Sequence, residues 1–348
     1  MPTATAPTAS STTTAPSSWR QQLDAATVDA VVARLAAACA AGERVLIAGH
    51  VRPDGDALGS ALALHLALSA AGARTTPAIG EDPAVTDPSL AGLPGLGDLV
   101  GAAALPPADE VDLVVTVDAA SPGRLGAVAD LLAAGVPSVV LDHHARSTPF
   151  GDLALVAPDA AATVQVVELL LTRLALPLTR EVATCLYVGL VTDTGRFGYA
   201  ATDPDVHLLA SRLLAAGVAQ DHWHQQLFDT RSFASVTLIG VGLARATLVP
   251  EVALVHTHLT AAELAAAGTG AGDLIDQLRT AASAEVALTL TEDPAGAWHG
   301  SLRSRGRVDV GRVAAAFGGG GHRLAAGFTA AGDADAITAR VVDLLGGA

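Results

Sequence analysis

Apolar and polar positions along the chain fall into blocks that read as alternating strands and helices. The apolar stretch from Thr27 to about Ala41 predicts a helix, with Thr27 as its cap and Gly42 as its stop. RVLIAG then predicts a short strand ending at His50, the polar loop VRPDGDALGS follows, and ALALHLALSAAG predicts a second helix. The unit recurs: VDLVVTV leads to Asp118 and a helix through Leu131, and PSVVL leads to Asp142. A strand that delivers a polar loop into a helix, repeated in this way, predicts a parallel α/β sheet. Side chains at the carboxyl ends of such strands sit where open α/β sheets bind ligands.

Thr163–Leu174 and Glu181–Leu190 read as helices joined by LALPL, with Asp193 following in VTDTGRFGY, and Asp205–Ala216 reads as another helix. Gly217 opens a polar stretch, DHWHQQLFDTRS. Beyond it SVTLIGVGLARATL and VALVHTHL predict an antiparallel pair of strands, and EVALTLTE and AWHGSLRS a hairpin across DPAG. A helix near Val310–Phe317, the run GGGG and a final helix from about Ala334 complete a mixed α/β region. No period of the solenoid kind is present. The expected organisation is a disordered tail over 1–20, a parallel-sheet domain over 21–205, a helical connector over 206–235 and a smaller mixed-sheet α/β domain over 236–348, with a cleft between the domains.

The chain has 348 residues, about twice a usual domain, and its 51% of apolar residues is ample for two cores. All 20 basic residues are arginine, so chemistry that needs a lysine Schiff base or a P-loop lysine is excluded. With 35 acids the net charge is −15, which argues against a protein that coats long nucleic acid. Cys39 and Cys185 lie in apolar helix-like runs and form neither a disulfide framework nor a Cys-rich zinc site. The first eighteen residues carry neither a basic start nor an apolar core, and no run is long enough for a membrane span, so a soluble cytoplasmic protein is expected.

Four separated segments carry the same chemistry: His50-x3-Asp54-x-Asp56, Asp118, Asp142-His143-His144, and Asp193. Singly these residues have ordinary readings. Asp54 and Asp56 could cap a helix, His143 could satisfy a carbonyl, and Asp118 could be a loop residue. As a set they gather carboxylates on one rim, where they repel unless cations compensate them. Carboxylates with a few imidazoles and no thiolates suit Mn²⁺ or Mg²⁺. The Asp54/Asp56 spacing lets one loop reach two neighbouring cations, which Asp118 could bridge. Such a pair, about 3.5–4 Å apart, polarises a phosphoryl group and activates water.

GHVRPDGDALGS, VDAA, LDHH and VTDTG resemble, in order and spacing, the four motifs of the DHH phosphoesterase superfamily. GSLRSRGRVDVGRVAAAFGGGGHRLAAGF resembles the DHH-associated C-terminal domain. The likeness runs from about residue 40 to 345, and within the superfamily it points to the bacterial oligoribonuclease and 3′-phosphoadenosine-5′-phosphate (pAp) phosphatase group. It implies two divalent cations, Mn²⁺ before Mg²⁺. His50, Asp54 and Asp118 would hold one, and Asp56, Asp118, His143 and Asp193 the other. Asp142 would orient a histidine or a metal-bound water, and His144 would approach the scissile phosphate. In the second domain the resemblance marks Arg303, Ser304, Gly319, Gly320, Gly321 and His322 as substrate contacts. Five arginines against Asp309 between Ser301 and Arg323 make that segment locally basic, although Arg307 and Arg312 read as solvated. A planar guanidinium at Arg303 suits a phosphate, and glycines expose backbone N–H groups to an anion.

The implied activity is hydrolysis of very short RNA to 5′-mononucleotides and dephosphorylation of pAp, by a homodimer as the resemblance implies, with no membrane partner. Cyclic di-AMP or its linear product pApA is the alternative substrate. A manganese pyrophosphatase fits the glycine-rich histidine segment poorly, and a nonenzymatic sensor would lack metal ligands. His222, His224, His256 and His258 form no second convincing site. Trp19 and Trp298 read as packing or tail residues, and Phe197 and Tyr199 as cleft lining or core.

Overall fold

The computed structural model of the protein describes residues 19–82, 87–145, 147, 150–268, 270, 272 and 274–347. Of the expected tail, residues 1–18 lie outside the described residues, while Trp19–Gln22 forms a 3₁₀ turn with Trp19 buried. The chain divides into two compact units, Met1–His224 and Gln225–Ala348.

The first unit runs α1 (Ala25–Ala41), β1 (Arg44–Ala48), α2 (Gly55–Ala70), β2 (Arg74–Ala78), β3 (Leu113–Val117), α3 (Val128–Ala133), β4 (Ser138–Asp142), β5 (Leu153–Val156), α4 (Thr163–Arg173), α5 (Arg180–Asp193) and α6 (Pro204–Ala215). All five strands are parallel, in the order β2-β1-β3-β4-β5. The order reverses direction between β1 and β3, which is where doubly wound sheets open a crevice for ligands. Strand β3 is buried throughout, as a central parallel strand covered on both faces must be. Helix α2 is buried nearly all round and packs against α4 and α5. Gly59 permits this: a Cβ there would stand 2.4 Å from the Cys185 carbonyl oxygen on α5.

Several boundaries differ from the sequence reading. Helix α1 is capped by Asp24, whose carboxylate accepts from the Thr27 amide, because the acid one turn upstream reaches the open N–H groups first. Gly42 ends it in the left-handed conformation as expected. Helix α2 starts at Gly55 rather than Ala61, so Asp56 lies inside its first turn. Strands β2 and β5 were not foreseen. The first is the sequence RTTPA and the second the four residues LALV, of which only Leu155 is fully buried; both are short strands at the sheet edges.

The chain passes to the second unit within α7 (Gln220–Phe228), a helix in the polar stretch of the expected helical connector. The second unit continues with α8 (Phe233–Ala244), β6 (Thr247–Val249), β7 (Leu254–Leu259), α9 (Ala261–Ala267), α10 (Leu274–Leu278), β8 (Val286–Glu292), β9 (Ala297–Ser304), α11 (Val310–Ala315), β10 (Gly320–Gly321), β11 (Ala325–Ala331) and α12 (Ala334–Gly346). The segment read as a strand, SVTLIGVGLA, is helix α8. Ser232 caps it, and Ser235, Leu238, Ile239 and Gly242 are buried at helical spacing, so period 3.6 prevails over β propensity. The sheet order is β10-β11-β9-β8-β7-β6, antiparallel except for the parallel β7–β8 pair. Leu254, Leu288, Leu302, Phe328, Ile337 and Val341 form the core beneath α11 and α12, while Val255, Ala287, Ile275 and Leu278 pack under α10 on the other face.

Candidate metal centre

Each acidic or histidine segment reaches the rim of the first sheet from a different element. His50 follows β1, Asp118 ends the β3 run, Asp142 is the last residue of β4, and Asp193 closes α5. Asp54 is the N-cap of α2, and its Oδ1 accepts from the amides of Asp56 (3.1 Å) and Ala57 (3.0 Å). It therefore serves the helix with one oxygen and turns Oδ2 toward His50 Nε2, 3.7 Å away. Asp118 has φ +54. A left-handed non-glycine residue costs of order 1–3 kcal/mol and persists where the surroundings over-determine it.

The positions converge on Asp118. Its Oδ2 lies 3.7 Å from His50 Nε2 and its Oδ1 lies 3.6 Å from His143 Nε2. His143 Nε2 also faces Asp193 Oδ2 at 3.4 Å and Asp56 Oδ2 at 3.9 Å. Donor atoms thus form a group of His50, Asp54 and Asp118, and a second of Asp56, Asp118 and His143, with Asp118 in both. Asp142, His144 and Asp118 form a third grouping.

The histidines are held with one nitrogen turned inward. His143 Nδ1 donates to the Ala160 carbonyl at 3.1 Å, and His50 Nδ1 donates to the Val51 carbonyl at 2.8 Å, which leaves each Nε2 lone pair facing the carboxylates. Arg124 Nη2 also stands 3.0 Å from His50 Nδ1; with the proton on Nδ1 that is a contact between donors, so the carbonyl bond defines the tautomer. His144 Nδ1 donates to Asp142 Oδ1 at 2.7 Å, an oxygen that also accepts the His143 amide at 2.9 Å.

Electrostatics favours a cation here. Burial, then the charges of Asp118 and Asp193, hold the Asp56 carboxyl well above the ordinary carboxylate range. Burial, then Asp54, raises Asp118 as well, against the opposing pull of the histidines. Burial works against a charged His143, yet Asp193, Asp118 and Asp56 together raise it to about 9. Carboxyls held above their ordinary range, beside a histidine raised above its own, mark an excess of negative charge that a divalent cation relieves. Asp142 Oδ2, buried with no hydrogen-bond partner among the described residues, adds one more oxygen to the cluster. Oxygen and imidazole donors without thiolate are the chemistry of a hard divalent cation.

Two polar residues, one in each unit, carry no signal in the sequence beyond helix and strand propensity. Thr163, fully buried at the start of α4, donates its hydroxyl to Asp118 Oδ1 at 3.0 Å and its amide to Asp56 Oδ2 at 2.6 Å. In the second unit Glu285 accepts from Ser304 Oγ (3.0 Å), the Arg307 amide (2.6 Å) and Arg307 Nε (3.0 Å). Glu285 thereby organises the turn of the arginine-rich segment and pairs with Arg307, whose side chain is largely solvated as the sequence reading has it.

Of the expected substrate contacts, Arg303 lies on β9 between Ala287 and Ala325, with Nη1 donating to the Leu302 carbonyl. Ser304 is buried and its hydroxyl donates to Glu285, so it serves the turn instead of presenting a donor outward. Gly320 and Gly321 form β10, and Gly319 precedes it. A Cβ at Gly319 would meet the Gly327 carbonyl at 2.2 Å, and Gly321 has φ +137. Two of these glycines are therefore required by the tight approach to β11. His322 is exposed at the turn, its amide donating to the Ala325 carbonyl at 2.7 Å. Trp223 and Trp298 are buried, and Trp298 Nε1 donates to the Gly332 carbonyl. Phe197, at φ +64, stacks on His207 with ring centroids 5.3 Å apart.

Comparison with known proteins agrees with both halves of the chain. The DHH family, N-terminal domain, matches residues 44–190, and the DHHA1 domain matches residues 256–346. A bifunctional oligoribonuclease and PAP phosphatase, NrnA, from Thermus thermophilus is 35% identical over 307 residues, covering 86% of this chain and 88% of the relative. The Bacillus subtilis protein of the same name is 28% identical over 204 residues, 54% of this chain and 58% of its own. Among solved structures, an exopolyphosphatase-related protein from Bacteroides fragilis superposes with a TM-score of 0.84 at 24% identity, covering 93% of this chain and 96% of that one.

Proposed function

The chain belongs to the DHH family and is a hydrolase of phosphoester bonds; from that premise we propose that it cleaves very short RNA to 5′-mononucleotides and converts pAp to AMP. The observation that carries the reading is Asp118, which offers one carboxylate oxygen to each of two donor groups. In this proposal His50, Asp54 and Asp118 hold one cation, and Asp56, Asp118, His143 and Asp193 hold the other, with Mn²⁺ favoured by the donor set. Bound there, the cations supply Lewis acidity to a phosphoryl oxygen and lower the pKa of water.

The chain's own residues do the rest. The Nδ1–H bond from His144 to Asp142 fixes its tautomer, so Nε2 is the nitrogen left for the reacting phosphate or its leaving oxygen. The strained backbone at Asp118 and the bonds from α4 hold the carboxylates in place before substrate arrives, which limits reorganisation during the reaction. In the second unit, Arg303 and His322 bind the nucleotide's other phosphate or ribose in this reading. The enzyme acts in the cytoplasm, a reducing compartment that suits its two free cysteines, and acts as a homodimer. No single described helix is long and apolar enough to cross a membrane.

The test is a side-by-side rate comparison on pAp, RNA of two to five nucleotides, pApA, cyclic di-AMP and pyrophosphate with Mn²⁺ present. Highest specificity constants on pAp and the shortest RNAs are expected. Preference for cyclic di-AMP or pyrophosphate would refute the assignment.

A further inference from the structure

Thr163 hydrogen-bonds two of the clustered carboxylates, the shared Asp118 and Asp56 of the second donor group. Its hydroxyl donates to Asp118 Oδ1 at 3.0 Å, and its amide to Asp56 Oδ2 at 2.6 Å. The next amide, Val164, donates to Asp56 Oδ1 at 3.0 Å. Helix α4 has Ala162 at its N-cap, whose methyl side chain cannot accept from the first N–H groups. Asp56, reaching across from α2, takes that role.

The consequence for Asp118 is geometric. A carboxylate can rotate about its Cβ–Cγ bond and offer both oxygens to a single cation. Here Oδ1 faces His143 and Oδ2 faces His50, and the hydroxyl of a fully buried threonine engages one lone pair of Oδ1. Rotation would break that bond and strand the hydroxyl in the core, where an unmet donor is costly. We propose that Thr163 is a positioning residue that pins the Asp118 carboxylate so that each oxygen serves a different donor group. This rests on the cation-sharing reading above and adds to it the residue that enforces the sharing. Partners of this kind, hydrogen-bonded to a ligating carboxylate, typically alter metal affinity ten- to a hundredfold when removed.

The hydroxyl and the amide can be separated by substitution. Thr163→Val keeps the shape and the amide bond to Asp56 but removes the bond to Asp118, whereas Thr163→Ser keeps both. Thr163→Ala provides a second variant without the hydroxyl should the valine not fold. The full-length chain, stripped with chelator, is titrated with Mn²⁺ by calorimetry, with circular dichroism and metal-free melting as controls on the fold. Thr163→Val and Thr163→Ala are expected to bind Mn²⁺ about ten- to a hundredfold more weakly, with Thr163→Ser close to wild type. Wild-type affinity in the valine and alanine variants, or equal weakening in the serine variant, would overturn the proposal. Asp118→Ala separates the two levels. If it binds Mn²⁺ as wild type does, the metal-centre reading fails and the Thr163 role with it. If it loses Mn²⁺ while Thr163→Val does not, only the Thr163 role fails.

Discussion

Replacing Gly59 by alanine tests how the first unit brings its acidic residues together. The new Cβ would lie 2.4 Å from the Cys185 carbonyl oxygen and 3.2 Å from the Gly189 amide nitrogen, both backbone atoms of α5. An ordinary carbon–oxygen contact is about 3.3 Å or longer, so the helices must part by about 0.9 Å. Two effects oppose each other. Alanine in place of glycine within a helix gains about 0.8–1 kcal/mol, whereas overpacking costs about 1–3 kcal/mol. The obstacle is backbone and cannot swing away, so the upper part of that cost applies, leaving a net loss of about 2 kcal/mol. For a unit of this size that is roughly 4–8 °C in Tm. Because α2 carries Asp54 and Asp56 and α5 carries Asp193, parting them also misplaces donors, and a shift of about 1 Å can cost roughly a hundredfold in rate. Calorimetric melting in chelator, with hydrolysis of a short RNA, measures both. Gly240→Ala in α8, where a Cβ meets nothing within 4 Å, is the control and is expected to raise stability through helix propensity alone. A Gly59→Ala protein that melts with the wild type or above it, and retains its rate, would refute the reasoning.

Arg303→Ala and His322→Ala should leave Mn²⁺ binding unchanged yet lose about 2–3 kcal/mol of recognition, roughly 30- to 150-fold in specificity constant on pAp. A small diester such as bis-p-nitrophenyl phosphate should lose much less; equal losses on both substrates would show that these residues support the fold or the reacting centre. Glu263 is held down to about 2, first by the Arg245 side chain and then by the Thr260 amide. A depressed acid stabilises above its ordinary value and loses that contribution as pH falls toward 2, so Glu263→Gln should flatten the melting of the second unit against pH between about 4.5 and 2. An unchanged slope would remove this pair from the acid response. Burial pushes the thiols of both Cys185 and Cys39 up, so a disulfide reagent at pH 8 should label the folded protein slowly and reach Cys185 only on unfolding. Rapid labelling of two thiols in the native state would contradict the packing.

The site was more legible than parts of its scaffold, for a physical reason. Asp118 and Asp142 each end an apolar run, and a parallel sheet brings such ends to one rim whatever the lengths of the loops between them. The sequence therefore indicates their convergence without any long-range pairing being known. Thr163 shows the limit: its pattern reports only the start of a helix, because the carboxylate it bonds is 45 positions away. Helix α8 was misread because it is apolar on its exposed side too, with Phe233, Val236 and Val241 facing outward, which hides the helical period. Strand β2 is half-exposed and contains a proline, so it depends on β1 for its form. Glu285 ends a loop before a strand, and nothing local shows that it collects the backbone of residues 307 and 308.

The donors of the candidate centre come from β1, α2, β3, β4 and α5, so they lie together only while the first unit is folded. A cation held there is consequently a ligand of the native state and not of the unfolded chain. It adds stability in proportion to the logarithm of its free concentration over its dissociation constant, about 1.4 kcal/mol for each tenfold excess. Divalent ion concentration would therefore act as a thermodynamic control on the first unit, setting its stability through the donors that its fold brings together.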